Sequence, residues 1–101
     1  MSLAEFIQDC ETPHHRQKAL AIGYFYEKYE GKDSYTTADI REGFTLARLS
    51  KPANLRDVVG KAAGNGLFLE VEEKDDIKHW ALTQTGLEQV EEEIVGDSDD
   101  N

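Results

Sequence analysis

LRDVVGKAAGNGLF, residues 55–68, begins with one hydrophobic period and ends with another. Leu55, Val58, Val59 and Ala62 recur at helical spacing, so they form the inward stripe of a helix. Asn54 stands just before it as a capping residue, with Asp57 at the third helical position. Asn65-Gly66 then supplies a turn. Beyond Gly66 the period falls to two: Leu67, Leu69 and Val71 alternate with Phe68, Glu70 and Glu72, which predicts a strand.

Upstream, Leu49-Ser50-Lys51-Pro52 interrupts the chain, because the residue before a proline is pushed out of the helical region. Before that break, Ile40, Phe44 and Ala47 predict a helix over Thr37–Leu46, opened by Thr36 and Asp39 as an approximate capping box. Lys32–Tyr35 reads as a loop or a short extended piece. Further back, Ile22, Phe25, Tyr26 and Tyr29 mark a long helix that starts at Thr12-Pro13 and ends before Gly31. Residues 1–11, with Leu3, Phe6 and Ile7, form an arm or a short helix, the loosely attached arm being the simpler reading.

Downstream, Glu73-Lys74-Asp75-Asp76 is a polar turn, and Ile77–Thr83 returns as a second strand with Trp80 and Leu82 on one face. A lone hairpin is marginal in water, so it must pack on the helices. Thr83 caps a last helix with Leu87, Val90 and Ile94 inward, and Gly86 allows it to approach the hairpin closely. The acidic stretch 96–101, GDSDDN, is expected to be disordered.

This order of helices, short turn, helix, two-stranded hairpin and helix resembles the winged-helix superfamily over residues 12–95. LRDVVGKAAGNGLF resembles a recognition helix running into the first wing strand. WALTQTG, residues 80–86, resembles the strand-to-helix junction of small winged-helix regulators. The resemblance implies a mostly helical α+β fold: a three-helix bundle with a helix-turn-helix, a two-stranded antiparallel wing and a C-terminal helix. Residues 1–11 would precede this domain and 96–101 would follow it. Winged helices serve DNA binding, RNA binding and protein assembly, so the fold alone does not assign a function.

Charge narrows the choice. The 101 residues carry a net charge of −10, which on its face opposes nucleic-acid binding. The charge is uneven, however. Residues 12–66 hold nine basic side chains against six acidic ones, whereas residues 67–101 hold two against twelve. By the resemblance, the third helix would enter the major groove. Arg56 would then reach a guanine edge and Asn54 an adenine. Arg41, Arg48, Lys51 and Lys61 would contact phosphates; each is equally readable as an ordinary solvated charge. The wing departs from a phosphate-gripping pattern: Glu70, Glu72, Glu73, Asp75 and Asp76 outnumber Lys74 and Lys78.

The expectation is therefore a cytoplasmic transcriptional regulator that binds double-stranded DNA in a sequence-dependent way, its wing held clear of the duplex. The alternative is an adaptor that binds a protein partner through the third helix or the acidic wing and does not bind DNA. A third reading is a halophilic setting, in which an acidic surface is general and cations accompany the DNA. By the same resemblance, Leu3, Phe6, Ile7 and the Leu87–Val95 helix, judged to exceed the needs of one small core, would form a homodimer interface.

An enzyme is not expected, nor is a cofactor or metal. Adjacent His14 and His15 diverge on a helix, and no paired-cysteine motif accompanies Cys10. One cysteine cannot close an internal disulfide, the acidic N-terminus is no secretory signal, and no apolar run is long enough to span a membrane.

Overall fold

The structure, a computed structural model, describes residues 2–10, 12 and 14–94. The proline signal at Pro13 and the acidic stretch 96–101 lie outside them. The fold is mixed α+β and mostly helical, in the order α1 (Leu3–Gln8), α2 (His15–Lys28), α3 (Thr37–Leu46), α4 (Leu55–Gly64), β1 (Phe68–Lys74), β2 (Ile77–Leu82) and α5 (Gln84–Gln89). This layout is compatible with that of a winged helix.

The N-terminal segment is a packed helix, not a loose arm. Ser2 and Glu5 form a reciprocal capping box, Glu5 N donating to Ser2 Oγ at 3.2 Å and Ser2 N to Glu5 Oε1 at 2.8 Å. Those bonds hold the Glu5 carboxyl below its usual value. Leu3, Phe6 and Ile7 are buried, and the Phe6 ring lies 5.4–5.9 Å from those of Tyr24 and Phe25 on α2 and of Tyr29 just past its end.

Helix α2 is the central element, with Ala19, Leu20, Ala21 and Ile22 fully buried in succession. Over that turn the helix is apolar on every side, which places its middle inside the domain. It starts later than the Thr12-Pro13 signal suggests. His14 occupies the cap position and its amide donates to Gln17 Oε1 at 3.1 Å, while the Thr12 carbonyl accepts from the Lys18 ammonium.

Helix α3 begins and ends as its sequence predicts. Asp39 N donates to Thr36 Oγ1 at 3.1 Å and Thr36 N to Asp39 Oδ2 at 3.0 Å. Helix α4 has the predicted span but not the predicted cap. Asn54 has ψ 61°, against 162–171° at Ser2, Thr36 and Thr83, whose side chains all accept a helix amide. At Asn54 the side chain makes no cap bond, and only its carbonyl is engaged, accepting from Asp57 N and Val58 N. The far end of α4 closes as a Schellman motif. Gly66 at φ 80° directs its own amide to Ala63 O and the Leu67 amide to Ala62 O at 2.9 Å.

β1 and β2 pair antiparallel, with Phe68 opposite Leu82 and Lys74 opposite Ile77, and a bulge between Glu70 and Glu72. The turn is tighter than the sequence implies. Asp75 and Asp76 alone make it, both with positive φ (52° and 64°), and Glu73 and Lys74 belong to the strand. Aspartate tolerates this left-handed geometry better than most residues. Phe68, Trp80 and Leu82 face the core, whereas Leu69 and Val71 face solvent. Tyr35 bridges to the outer side of β2 through paired bonds with Trp80 of 3.0 and 2.7 Å.

Two groups tie the hairpin base to the helices. Glu27 Oε2 on α2 accepts from Tyr35 Oη at 2.6 Å and Leu82 N at 2.8 Å. Thr83 Oγ1 caps α5 by accepting from Gly86 N at 2.9 Å, and donates to Gly66 O at 2.6 Å. Gly86 does what its lack of a side chain permits: a Cβ there would collide with the Leu67 carbonyl.

α5 runs on into a wider π-helical turn, Val90–Ile94, with Val90 and Ile94 fully buried. Thus Leu3, Phe6, Ile7, Val90 and Ile94 all serve the domain's own core. Together they enclose α2 where three helices would leave it bare, so they are not a surplus available for a dimer interface.

Candidate nucleic-acid interface

The face of interest is built by α3, α4 and residues 47–54 between them. Leu49 N donates to Phe44 O at 2.9 Å to close α3, and Arg48 adopts φ 61° as the chain reverses. Buried Ile40 and Phe44 fix α3, and buried Leu55, Val59 and Ala62 fix α4, so the opposite sides of both helices are held outward.

All six predicted contact residues are exposed. The structure brings two of them together. Arg41 of α3 and Arg56 of α4 line one open groove of about 510 Å³, walled by the N-terminal end of α3 (Thr36 to Ala38), by Gly60 of α4 and by the hairpin tip. Arg48, Lys51 and Asn54 lie on the connection, outside the lining of that groove. Lys61 is already engaged, with Nζ 3.3 Å from Asp57 Oδ2 one turn earlier.

That is the only ion pair among the described residues, so Arg41, Arg48, Lys51 and Arg56 have no carboxylate partner there. The Asn54 amide, free of capping duty, is available to an outside partner. A Cβ at Gly60 or Gly64 would meet nothing within 4 Å, so the outward side of α4 is low and accessible.

Sequence reasoning missed the hairpin's share of the groove. Lys78 lines it, with Nζ 6.0 Å from the centre of the Trp80 ring, and Asp76 adds an acid to the same wall. Counting charge along the chain assigned Lys78 to an acidic wing; alternation along β2 puts it on the Trp80 side, and the tertiary fold turns that side toward Arg41 and Arg56. The Trp80 indole N–H is buried without an acceptor among the described residues.

Other chemistry finds less support. Cys10 is half-buried and its thiol donates to Phe6 O at 3.2 Å. Burial, with Asp9 beside it, pushes that thiol up to about 11, far from a reactive thiolate. Among the described residues no three His, Cys, Asp or Glu side chains are grouped to hold a metal, and no helix is long and apolar enough to cross a membrane.

The chain matches no family model, no curated protein and no solved structure. Function has to be argued from the interface itself.

Proposed function

We propose that this domain binds double-stranded DNA in the manner of a winged helix, with α4 in the major groove, and acts as a transcriptional regulator. The observation that carries the reading is the unpartnered basic set Arg41, Arg48, Lys51 and Arg56, held on and between two helices whose other sides are locked in the core. Unneutralised cations on a rigid frame suit phosphate binding, because each neutralised phosphate releases condensed counterions. Arg56, in the first turn of α4, reads a guanine edge, and Asn54 an adenine. Arg41, Arg48, Lys51 and Lys61 hold phosphates. The absence of side chains at Gly60 and Gly64 lets the α4 backbone approach the bases. The acidic hairpin tip stays off the duplex.

Fluorescence anisotropy of a labelled mixed-sequence duplex tests this. Arg56→Ala and Arg41→Ala each weaken binding about tenfold, in line with one lost base or phosphate contact. Both leave the melting temperature unchanged, since neither side chain is buried. Log affinity falls against log salt with a slope of about −3.6, from about four phosphates. If mixed genomic fragments are not retained even at low salt, the reading is wrong.

A further inference from the structure

Strand β1 holds a surface that neither the core nor the DNA reading uses. Two of the five exposed large apolar side chains among the described residues are on it, Leu69 (53% exposed) and Val71 (46%); Ile77 (51%), on β2, lines the groove instead. β1 hydrogen-bonds to β2 on one side only, and among the described residues no backbone group pairs with its other edge. The corresponding edge of β2 is partly covered, by the bridge from Tyr35 to Trp80. A free edge with apolar side chains invites another strand, and proteins ordinarily blunt it with lysine, proline or a bulge. Here Lys74 stands only at the far end, and the intervening charges, Glu70, Glu72 and Glu73, are all acidic.

We infer that β1 is a docking strand for a basic, extended segment of a partner protein. The segment adds to the free edge by backbone pairing, rests alternate apolar side chains on Leu69 and Val71, and sets its lysines or arginines against Glu70, Glu72, Glu73 and the Asp75-Asp76 turn. Strand addition draws its affinity from main-chain bonds and its selectivity from alternate side chains. Charge decides the occupant. A second hairpin of this chain would bring like charges together, and a duplex would be repelled by the same acids. The bulge between Glu70 and Glu72 sets Val71 out of register with β2 and bends β1, so an added segment has to follow that bend.

The test titrates the isotope-labelled full chain with a synthetic peptide of alternating valine and lysine, followed by amide NMR. Saturable shifts are expected at Leu69 to Lys74 and not on α4. Three comparisons go with it: the peptide N-methylated at alternate residues, its valine–glutamate counterpart, and the Val71→Lys variant. Each should weaken binding at least about tenfold. Val71 is solvent-facing, so the variant is expected to fold, which circular dichroism checks.

The inference is overturned by shifts centred on α3 and α4, by equal binding of the acidic peptide, or by no saturation up to about 1 mM, the weak end of specific recognition. Self-association abolished by Val71→Lys would overturn it too, by making the occupant a second copy. Duplex binding is measured separately on the same samples, so the failure of either reading leaves the other standing.

Discussion

The α3–α4 pair and the hairpin are both two-element units on a short connection, yet the core holds them differently. The helices are anchored along their length, by Ile40, Phe44, Leu55, Val59 and Ala62. The hairpin is anchored at one end, by Phe68, Trp80 and Leu82, while residues 69–78 stand exposed. Its position therefore depends on a few bonds at the base: Glu27 to Leu82 and Tyr35, and Thr83 to Gly66. Stability of this kind is local, and the exposed end is the first part expected to open. A set of charges that must meet a rigid duplex belongs on the helices. A strand that accepts another chain benefits from a freer tip.

The largest expected effect is on the hairpin base. Gly86→Ala places a methyl group against the Leu67 carbonyl, a backbone atom that cannot rotate aside. Urea unfolding should show a loss of about 3 kcal/mol, the upper end of overpacking costs. If the variant is as stable as the parent, α5 does not pass the hairpin as closely as described. Next is Glu27→Ala. It leaves the buried Leu82 amide and Tyr35 hydroxyl without their acceptor. The cost should be about 2 kcal/mol. Faster amide exchange at Leu82 would separate a loosened hairpin from general destabilisation. By contrast, Arg41→Ala on the helix pair should stay within about 0.5 kcal/mol.

These anchors also mark where the sequence was readable. Thr36 with Asp39, and Thr83 with Gly86, are local patterns, and each makes the bond its spacing implies. Local patterns fail where the backbone angle departs from the usual cap, as at Asn54, whose identity suits the role while its ψ does not. Glu27 was invisible for a different reason. On a helix it looks like a solvated charge, and its partner Leu82 lies 55 residues away. Leu3, Phe6 and Ile7 had a clear apolar spacing, but their destination depended on how much of α2 the other helices would leave uncovered. At the groove, Arg41 and Arg56 were legible by type, whereas the contribution of Lys78 depended on which side of the hairpin the fold turns toward α3 and α4.

Alkaline pH probes both regions at once. Tyr26 Oη donates to Asp39 O at 2.6 Å, joining α2 to the start of α3, and Tyr35 Oη donates to Glu27 beside the hairpin. Burial pushes Tyr26 up to about 12, and burial with the Glu27 bond raises Tyr35 further. Below about pH 10 both phenols are neutral, folded or unfolded, and pH has no effect through them. Above it the unfolded chain releases protons that the folded chain retains, so stability falls as pH rises towards 12. Urea midpoints across that window should decline, and Tyr26→Phe should make the decline shallower. A flat profile would mean that neither phenol is held as described.

The smallest effect divides the two regions most cleanly. Asp57 and Lys61 are an exposed i,i+4 pair on α4, worth only a few tenths of a kcal/mol, so Asp57→Asn should barely change stability. Its consequence for DNA is different in kind. It removes the acid next to Arg56 and frees Lys61, so duplex affinity should rise about two- to threefold, more at low salt. The matching change on the hairpin, Glu73→Gln, alters the net charge by the same amount at a site proposed to lie off the duplex. It should leave affinity nearly unchanged. Equal gains from both substitutions would mean that affinity follows the net charge of the whole chain, and α4 would lose its claim as the contact surface. A gain from Glu73→Gln alone would place the hairpin against phosphate and exchange the roles of the two regions.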